Sequence, residues 1–173
     1  MRAPAKVAIL GAESSGKSTL AAALAERYGS TWVPEYLREF VATRQRVPQS
    51  VDQVLIARTQ LEREVDAARH AAGYLFCDTT PLMTAIYSRF YFHEVDPGTA
   101  AMAQSHDYAY TLVTAPDGPW MPDGLQRESE AVRQTIHQQL LEELARRGIP
   151  YLLVAGSLES RLEQVELLLP RLA

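Results

Sequence analysis

The sequence predicts an α/β fold, with a mostly parallel sheet of about five strands flanked by helices. Three observations predict it. Short apolar runs alternate with amphipathic helical stretches along the 173 residues, the pattern of a layered α/β domain. The first such run leads into GAESSGKST, in which Gly11, Gly16, Lys17 and Ser18 fit G-x-x-x-x-G-K-[ST], a phosphate-binding loop. The apolar content of 47% suits one domain with a sizeable core.

Each element has a local reason. Lys6–Leu10 is an apolar run of strand type, and Leu20, Leu24 and Tyr28 fall four apart on the helix after the loop, with Gly29 as its stop. Ser30–Val33 reads as a second strand broken at Pro34, followed by a small helix over Tyr36–Thr43. Ser50 and Gln53 suggest a capping box that opens a long helix to about Ala72. Val51, Val54, Leu55, Leu61 and Val65 are its expected apolar stripe, and Gly73 ends it.

Tyr74–Cys77 reads as a buried strand closing in Asp78. Thr80 and Pro81 look like an N-cap and first turn for a helix through about Phe92. Asp96-Pro97 repeats that signal for a shorter helix, and Tyr110–Thr114 is a fourth strand. Ala115–Arg127, with three prolines and two glycines, is expected to be irregular. Val132, Ile136, Leu140 and Leu144 mark one face of the next helix, which Gly148 ends. Tyr151–Val154 makes a fifth strand, and Ser157 caps a last helix that stops near Pro170.

Composition narrows the partners. No run approaches the ~20 apolar residues of a membrane span, and the amino terminus lacks a secretory pattern. Cys77 is the single cysteine, so an internal disulfide is excluded and a cytoplasmic location is expected. A net charge of −4 argues against a nucleic-acid partner. A homo-oligomer is left open.

The candidate site follows from the loop. Glycines let the backbone aim N–H groups at phosphate oxygens, the lysine reaches the β/γ-phosphates, and a hydroxyl helps hold Mg²⁺. Gly11, Glu13, Ser14, Ser15, Gly16, Lys17, Ser18 and Thr19 are therefore expected to bind ATP, with the helix N-terminus adding partial positive charge. Ligands of open α/β sheets bind beyond the carboxyl ends of the strands. Asp78, closing the third strand, is a candidate Mg²⁺ carboxylate with Ser18. Glu35, just past the second, is a candidate base or ligand for an acceptor hydroxyl.

Arg38 and Glu39 suit either this site or a surface ion pair, and Arg44 and Arg46 are expected in solvent. Tyr36, Tyr87 and Phe90 suit a base-stacking pocket or the core. Trp120, Asp123 and Arg127 lie in the irregular stretch, which reads as a lid whose arginine would offset charge on the transferring phosphoryl group. Two classes of function fit these residues: a small-molecule kinase, or a regulatory ATPase with no small acceptor.

GAESSGKST, VPEYLREF, LFCDTT and APDGPWMPDGLQR, in that order, resemble the ribosylnicotinamide kinase domain of NadR-type proteins. The resemblance covers the chain nearly end to end, closing with RGIPYLLVAGSLESRLEQV. It implies a P-loop nucleoside- and nucleotide-kinase fold, and transfer of the ATP γ-phosphate to the 5′-hydroxyl of nicotinamide riboside with Mg²⁺. It further implies Glu35 and Asp78 as acceptor and metal carboxylates and Arg127 as a lid arginine. Two departures stand out. The chain starts five residues before its first strand, so it is expected neither to make NAD itself nor to bind an operator. Pro34 occupies the position where better-known members carry an aromatic residue, leaving Trp32 or Trp120 to supply a stack. Another ribonucleoside is the neighbouring alternative as acceptor.

Overall fold

The computed structural model describes residues 2–121 and 129–171. Five parallel strands form one sheet in the order β2-β3-β1-β4-β5, with β1 Ala5–Leu10, β2 Thr31–Val33, β3 Tyr74–Asp78, β4 Tyr110–Thr114 and β5 Leu152–Val154. β1 pairs with β3 on one side (Val7 opposite Phe76) and with β4 on the other (Ile9 opposite Leu112). The chain first builds outward to the β2 side and then to the β5 side. The carboxyl end of β1 is therefore the switch point at which such sheets open a crevice.

The helices are α1 Lys17–Arg27, α2 Tyr36–Arg44, α3 Gln53–Ala68, α4 Pro81–Phe92, α5 Pro97–Ser105, α6 Glu130–Arg147 and α7 Leu158–Leu168. They cover both faces of the sheet, so alternate residues of β1 enter two different cores. Val7 and Ile9 pack with Leu20, Leu24, Phe76 and Leu162 under α1 and α7. Ala8 and Leu10 pack with Leu82, Met83, Ile136 and Leu140 under α4 and α6. That double burial is why the strands read as continuous apolar runs rather than as alternating ones. Among the described residues no helix is long and apolar enough to cross a membrane.

The expected elements are all present, and most capping signals hold. Asp96 accepts from the Gly98 N–H, and Ser157 accepts from the Ser160 N–H. Pro81 opens α4, although the Thr80 hydroxyl caps nothing and is buried without a hydrogen-bond partner.

Helix α3 departs from expectation. Its capping box is Gln49 with Asp52, enclosing a 3₁₀ turn at Ser50–Asp52, and the helix ends at Ala68. Val51 and Val65 are 77% and 63% exposed, and the buried stripe is Gln53, Ile56, Ala57, Gln60 and Glu64. Apolar periodicity missed this face because three of its five residues are polar. Glu64 accepts from the Tyr108 hydroxyl and pairs with Lys6 at 3.5 Å, and Gln60 serves the strand ends described below.

Candidate active site

The phosphate loop leaves the tip of β1 and runs directly into α1. Gly11 is a steric necessity, because a Cβ there would collide with the Thr114 hydroxyl. Gly16 stands at the N-cap of α1 with φ 88°, a left-handed conformation that favours glycine. Ser14 also has positive φ, 56°. Lys17 opens the helix and is buried, its Nζ donating to the Ala12 carbonyl at 2.9 Å. Ser18 and Thr19 follow in the first turn, and Glu13 is half-buried within the loop. The helix N-terminus thus points its first amides into the loop, an anion-binding arrangement.

Two buried arginines that the sequence did not flag hold the loop in shape. Arg133 of α6 donates to the Ser14 carbonyl at 3.0 Å and to the Gly118 carbonyl at 2.7 Å. Arg161 of α7 donates to the Ser15 carbonyl at 2.5 Å, to Ala115 at 2.9 Å and to Gly156 at 3.1 Å, and pairs with Asp117 at 2.7 Å. Drawing consecutive carbonyls outward leaves the loop amides turned the other way, towards a phosphate. The same guanidinium groups tie the loop to the start of the lid-like stretch. Ser14 adds to this, its Oγ exchanging hydrogen bonds with the Met121 backbone at 3.0–3.1 Å.

Arg161→Met is expected to lower Tm by roughly 10 °C. The substitution takes the donor from the carbonyls of Ser15, Ala115 and Gly156; a buried acceptor left unpaired costs ~1–3 kcal/mol, and about 1 kcal/mol moves Tm by ~2–4 °C in a domain of this size. Thermal denaturation by circular dichroism checks it.

Asp78 and Glu35 close the other side of the site. Asp78 ends β3 and is 1% exposed. Burial and then the Glu35 carboxylate push its pKa up from 3.8 to about 7, while Lys17, Arg38 and a hydrogen bond from the Thr79 hydroxyl oppose the rise. The rise places Glu35, Lys17 and Asp78 within electrostatic reach of one another. Glu35 itself is half-buried at the N-cap of α2.

Gln60 sets the spacing of these two strand ends. Its carbonyl accepts the Tyr36 N–H at 2.8 Å, and its NH₂ donates to the carbonyls of Pro34 and Asp78, each at 3.2 Å. One carboxamide therefore grips the backbone on both sides of Glu35 and ties it to Asp78. Beside them opens a cavity of about 470 Å³, bounded by Glu35 and Thr79 at the sheet, by Gln53 and Ile56 of α3, and by Tyr87 of α4.

The remaining expected residues divide. Tyr87 faces the cavity and stacks on Tyr91, ring centroids 6.2 Å apart, while Phe90 packs against the core. The Tyr36 ring instead meets Phe40 edge-on and lies under the Arg63 guanidinium at 4.9 Å. Trp32 packs against the core on the α1 side, away from the cavity, and Trp120, within the lid-like stretch, is half-buried. Arg38 is exposed and acts on Asp78 through its field, and Glu39 pairs with Arg63 rather than with Arg38. Arg46 is exposed, as expected, and also binds the buried Asp52 at 2.7 Å at the cavity wall. Asp123 and Arg127 lie outside the described residues.

The chain's relationships agree with this geometry. The AAA domain family model matches residues 6–161. The trifunctional NAD biosynthesis/regulator protein NadR of Salmonella typhimurium is 30% identical over 142 residues, and that of Escherichia coli matches equally well. The match takes in 80% of this chain, which spans 35% of the length of those relatives. Among solved structures, NadR in complex with NR superposes with a TM-score of 0.82 at 20% identity, over 94% of this chain and 51% of that one. NadR in complex with NAD and AMP-PNP gives 0.80 at 20% identity, over 94% and 49%. A deoxyadenosine kinase from M. mycoides gives 0.60 at 16% identity, over 94% and 96%. At these identities the superpositions establish a shared P-loop kinase fold.

Proposed function

Because the chain belongs to the AAA domain family of P-loop proteins and is a homologue of NadR, we propose that it is an ATP-dependent nucleoside kinase acting on nicotinamide riboside. The product would be nicotinamide mononucleotide. The observation that carries this reading is the cavity: a pocket of about 470 Å³ opens at Glu35 and Thr79, at the same strand ends that carry Asp78. A kinase needs two substrates side by side, whereas a regulatory ATPase needs no room for an acceptor. That a NadR structure holds NR, nicotinamide riboside, on this fold supports the choice of acceptor.

In this mechanism the loop amides and Lys17 bind the ATP phosphates and stabilise charge on the transferring group. Glu35 orients the acceptor 5′-hydroxyl and takes its proton, from a backbone position fixed by Gln60. Transfer depends mainly on positioning, since the protein itself forms no covalent bond to phosphorus. Arg38, and Arg127 of the lid, are the proposed countercharges; Tyr36, Tyr87, Trp120 and Asp123 are proposed to surround the acceptor.

The oxygen donors suit Mg²⁺. Among the described residues no cluster of three or more His, Cys, Asp or Glu could cage a metal ion alone. The buried Asp78 carboxylate together with the Ser18 hydroxyl of the loop would instead make the hard, incomplete donor set that nucleotide phosphates complete. Ser18 and Asp78 would hold Mg²⁺, which when bound neutralises phosphate charge.

A ribonucleoside panel tests the assignment. ADP release at fixed ATP·Mg²⁺ is expected to stay near background alone and to rise at least about tenfold with nicotinamide riboside. A tenfold higher kcat/KM for uridine would move the acceptor assignment to another nucleoside, and ADP release indifferent to any nucleoside would favour an ATPase.

A further inference from the structure

Three glutamine side chains belong to the acceptor cavity wall, and two are committed to the protein. Gln49 accepts the Asp52 N–H in its capping box, and Gln60 uses both ends of its carboxamide on the strand tips. Other polar wall groups are also engaged: Ser50 donates to Glu94 at 2.7 Å, and Arg46 binds Asp52. Gln53 differs. It is 7% exposed, yet among the described residues its carboxamide has no hydrogen-bond partner. The same wall carries the apolar side chains of Leu37, Val41, Val47 and Ile56. The polar atoms of Gln53 are not among the buried ones that lack a partner, so they stay open to the cavity, where a polar group of a ligand can meet them.

The helix gives the spacing. Gln53 and Gln60 share the buried face of α3, seven residues and about 10 Å apart along its axis. Gln60 marks the reacting end, beside Glu35 and Asp78. Gln53 therefore sits further into the cavity by a distance comparable with that from a nucleoside's 5′-hydroxyl to the far edge of its base.

We infer that Gln53 reads the carboxamide on the acceptor's ring, its C=O accepting from the ligand's NH₂ and its NH₂ donating to the ligand's C=O. The inference rests on the nucleoside-kinase reading above and names the residue that would set its selectivity. A ring carboxylate offers acceptors alone, leaving the Gln53 carbonyl against another acceptor. Sites built around such a hydrogen bond discriminate strongly against analogues that cannot make it.

The test compares kcat/KM for nicotinamide riboside and nicotinic acid riboside in wild type, Gln53→Met and Gln53→Glu, with Tm and ATP Kd measured for each. Wild type is expected to favour the amide by at least about tenfold. In the near-isosteric Gln53→Met the ratio should fall below about threefold, mainly through a higher KM for the amide substrate, with ATP Kd unchanged. Gln53→Glu should lose activity with both yet still reject the carboxylate, through like-charge repulsion. No preference in wild type, turnover of neither riboside, or a wild-type ratio retained in Gln53→Met would each overturn the inference. A retained ratio would assign the preference to overall ring charge. Wild-type silence with every nucleoside would instead remove the kinase reading and this inference with it.

Discussion

Lys17→Ala is expected to lose about 10²- to 10³-fold in kcat/KM, the range for deleting one preorganised charge donor at a reacting centre. Its ammonium is buried at the mouth of the phosphate loop and, among the described residues, makes a single hydrogen bond, to the Ala12 carbonyl. That bond holds the side chain in place without joining distant parts of the fold. Loop shape depends instead on Arg133 and Arg161, which the substitution leaves untouched. Tm should accordingly stay within a few degrees of wild type while ATP affinity and turnover fall together. An active Lys17→Ala enzyme would contradict the nucleotide-site assignment.

Asp78→Asn and Glu35→Gln should each cost about 10²-fold or more in turnover, by different routes. If Asp78 serves Mg²⁺, raising Mg²⁺ should partly restore Asp78→Asn. If Glu35 serves the acceptor, Glu35→Gln should keep its ATP affinity and show no Mg²⁺ rescue. Equal loss of ATP binding in both would show the roles to be divided wrongly. Asp78 also carries a stability signature. Its pKa is raised from 3.8 to about 7 by burial and by Glu35, so the folded protein holds a proton that the unfolded chain has released. Stability from this group is therefore greatest at low pH and declines as pH rises from 3.8 through about 7. Asp78→Asn removes that penalty. Its Tm should exceed wild type at pH 8 by a few degrees, and the gap should close towards pH 5.

The parts of this molecule that were legible in the sequence are those where one residue type answers a local demand. Gly11 and Gly16 satisfy backbone requirements of the loop, Pro81, Asp96 and Ser157 open helices, and apolar runs become strands buried on both faces. Asp78 and Glu35 were readable because strand ends of an α/β sheet converge on the switch point. The supports of the site were not readable. Gln60, Arg133 and Arg161 act through main-chain carbonyls and amides far away in sequence: Arg161 reaches Ser15 across 146 positions. Nothing in a helical run distinguishes an arginine that turns inward from one that faces water. The same limit hid the buried face of α3, whose polar residues break the apolar period because they serve the site and the contacts of the buried Glu64 with Lys6 and Tyr108. Trp32 failed for a related reason: sequence places it near the strand end, but its ring packs on the opposite face of the sheet from the cavity.

The central claim is that the phosphate loop and the neighbouring cavity hold two substrates of one transfer reaction. Mass spectrometry of a reaction containing the protein, ATP·Mg²⁺ and nicotinamide riboside tests it most directly. The account predicts nicotinamide mononucleotide and ADP formed one for one, with both lost in Lys17→Ala. ADP accompanied by inorganic phosphate, with no phosphorylated nucleoside, would contradict it.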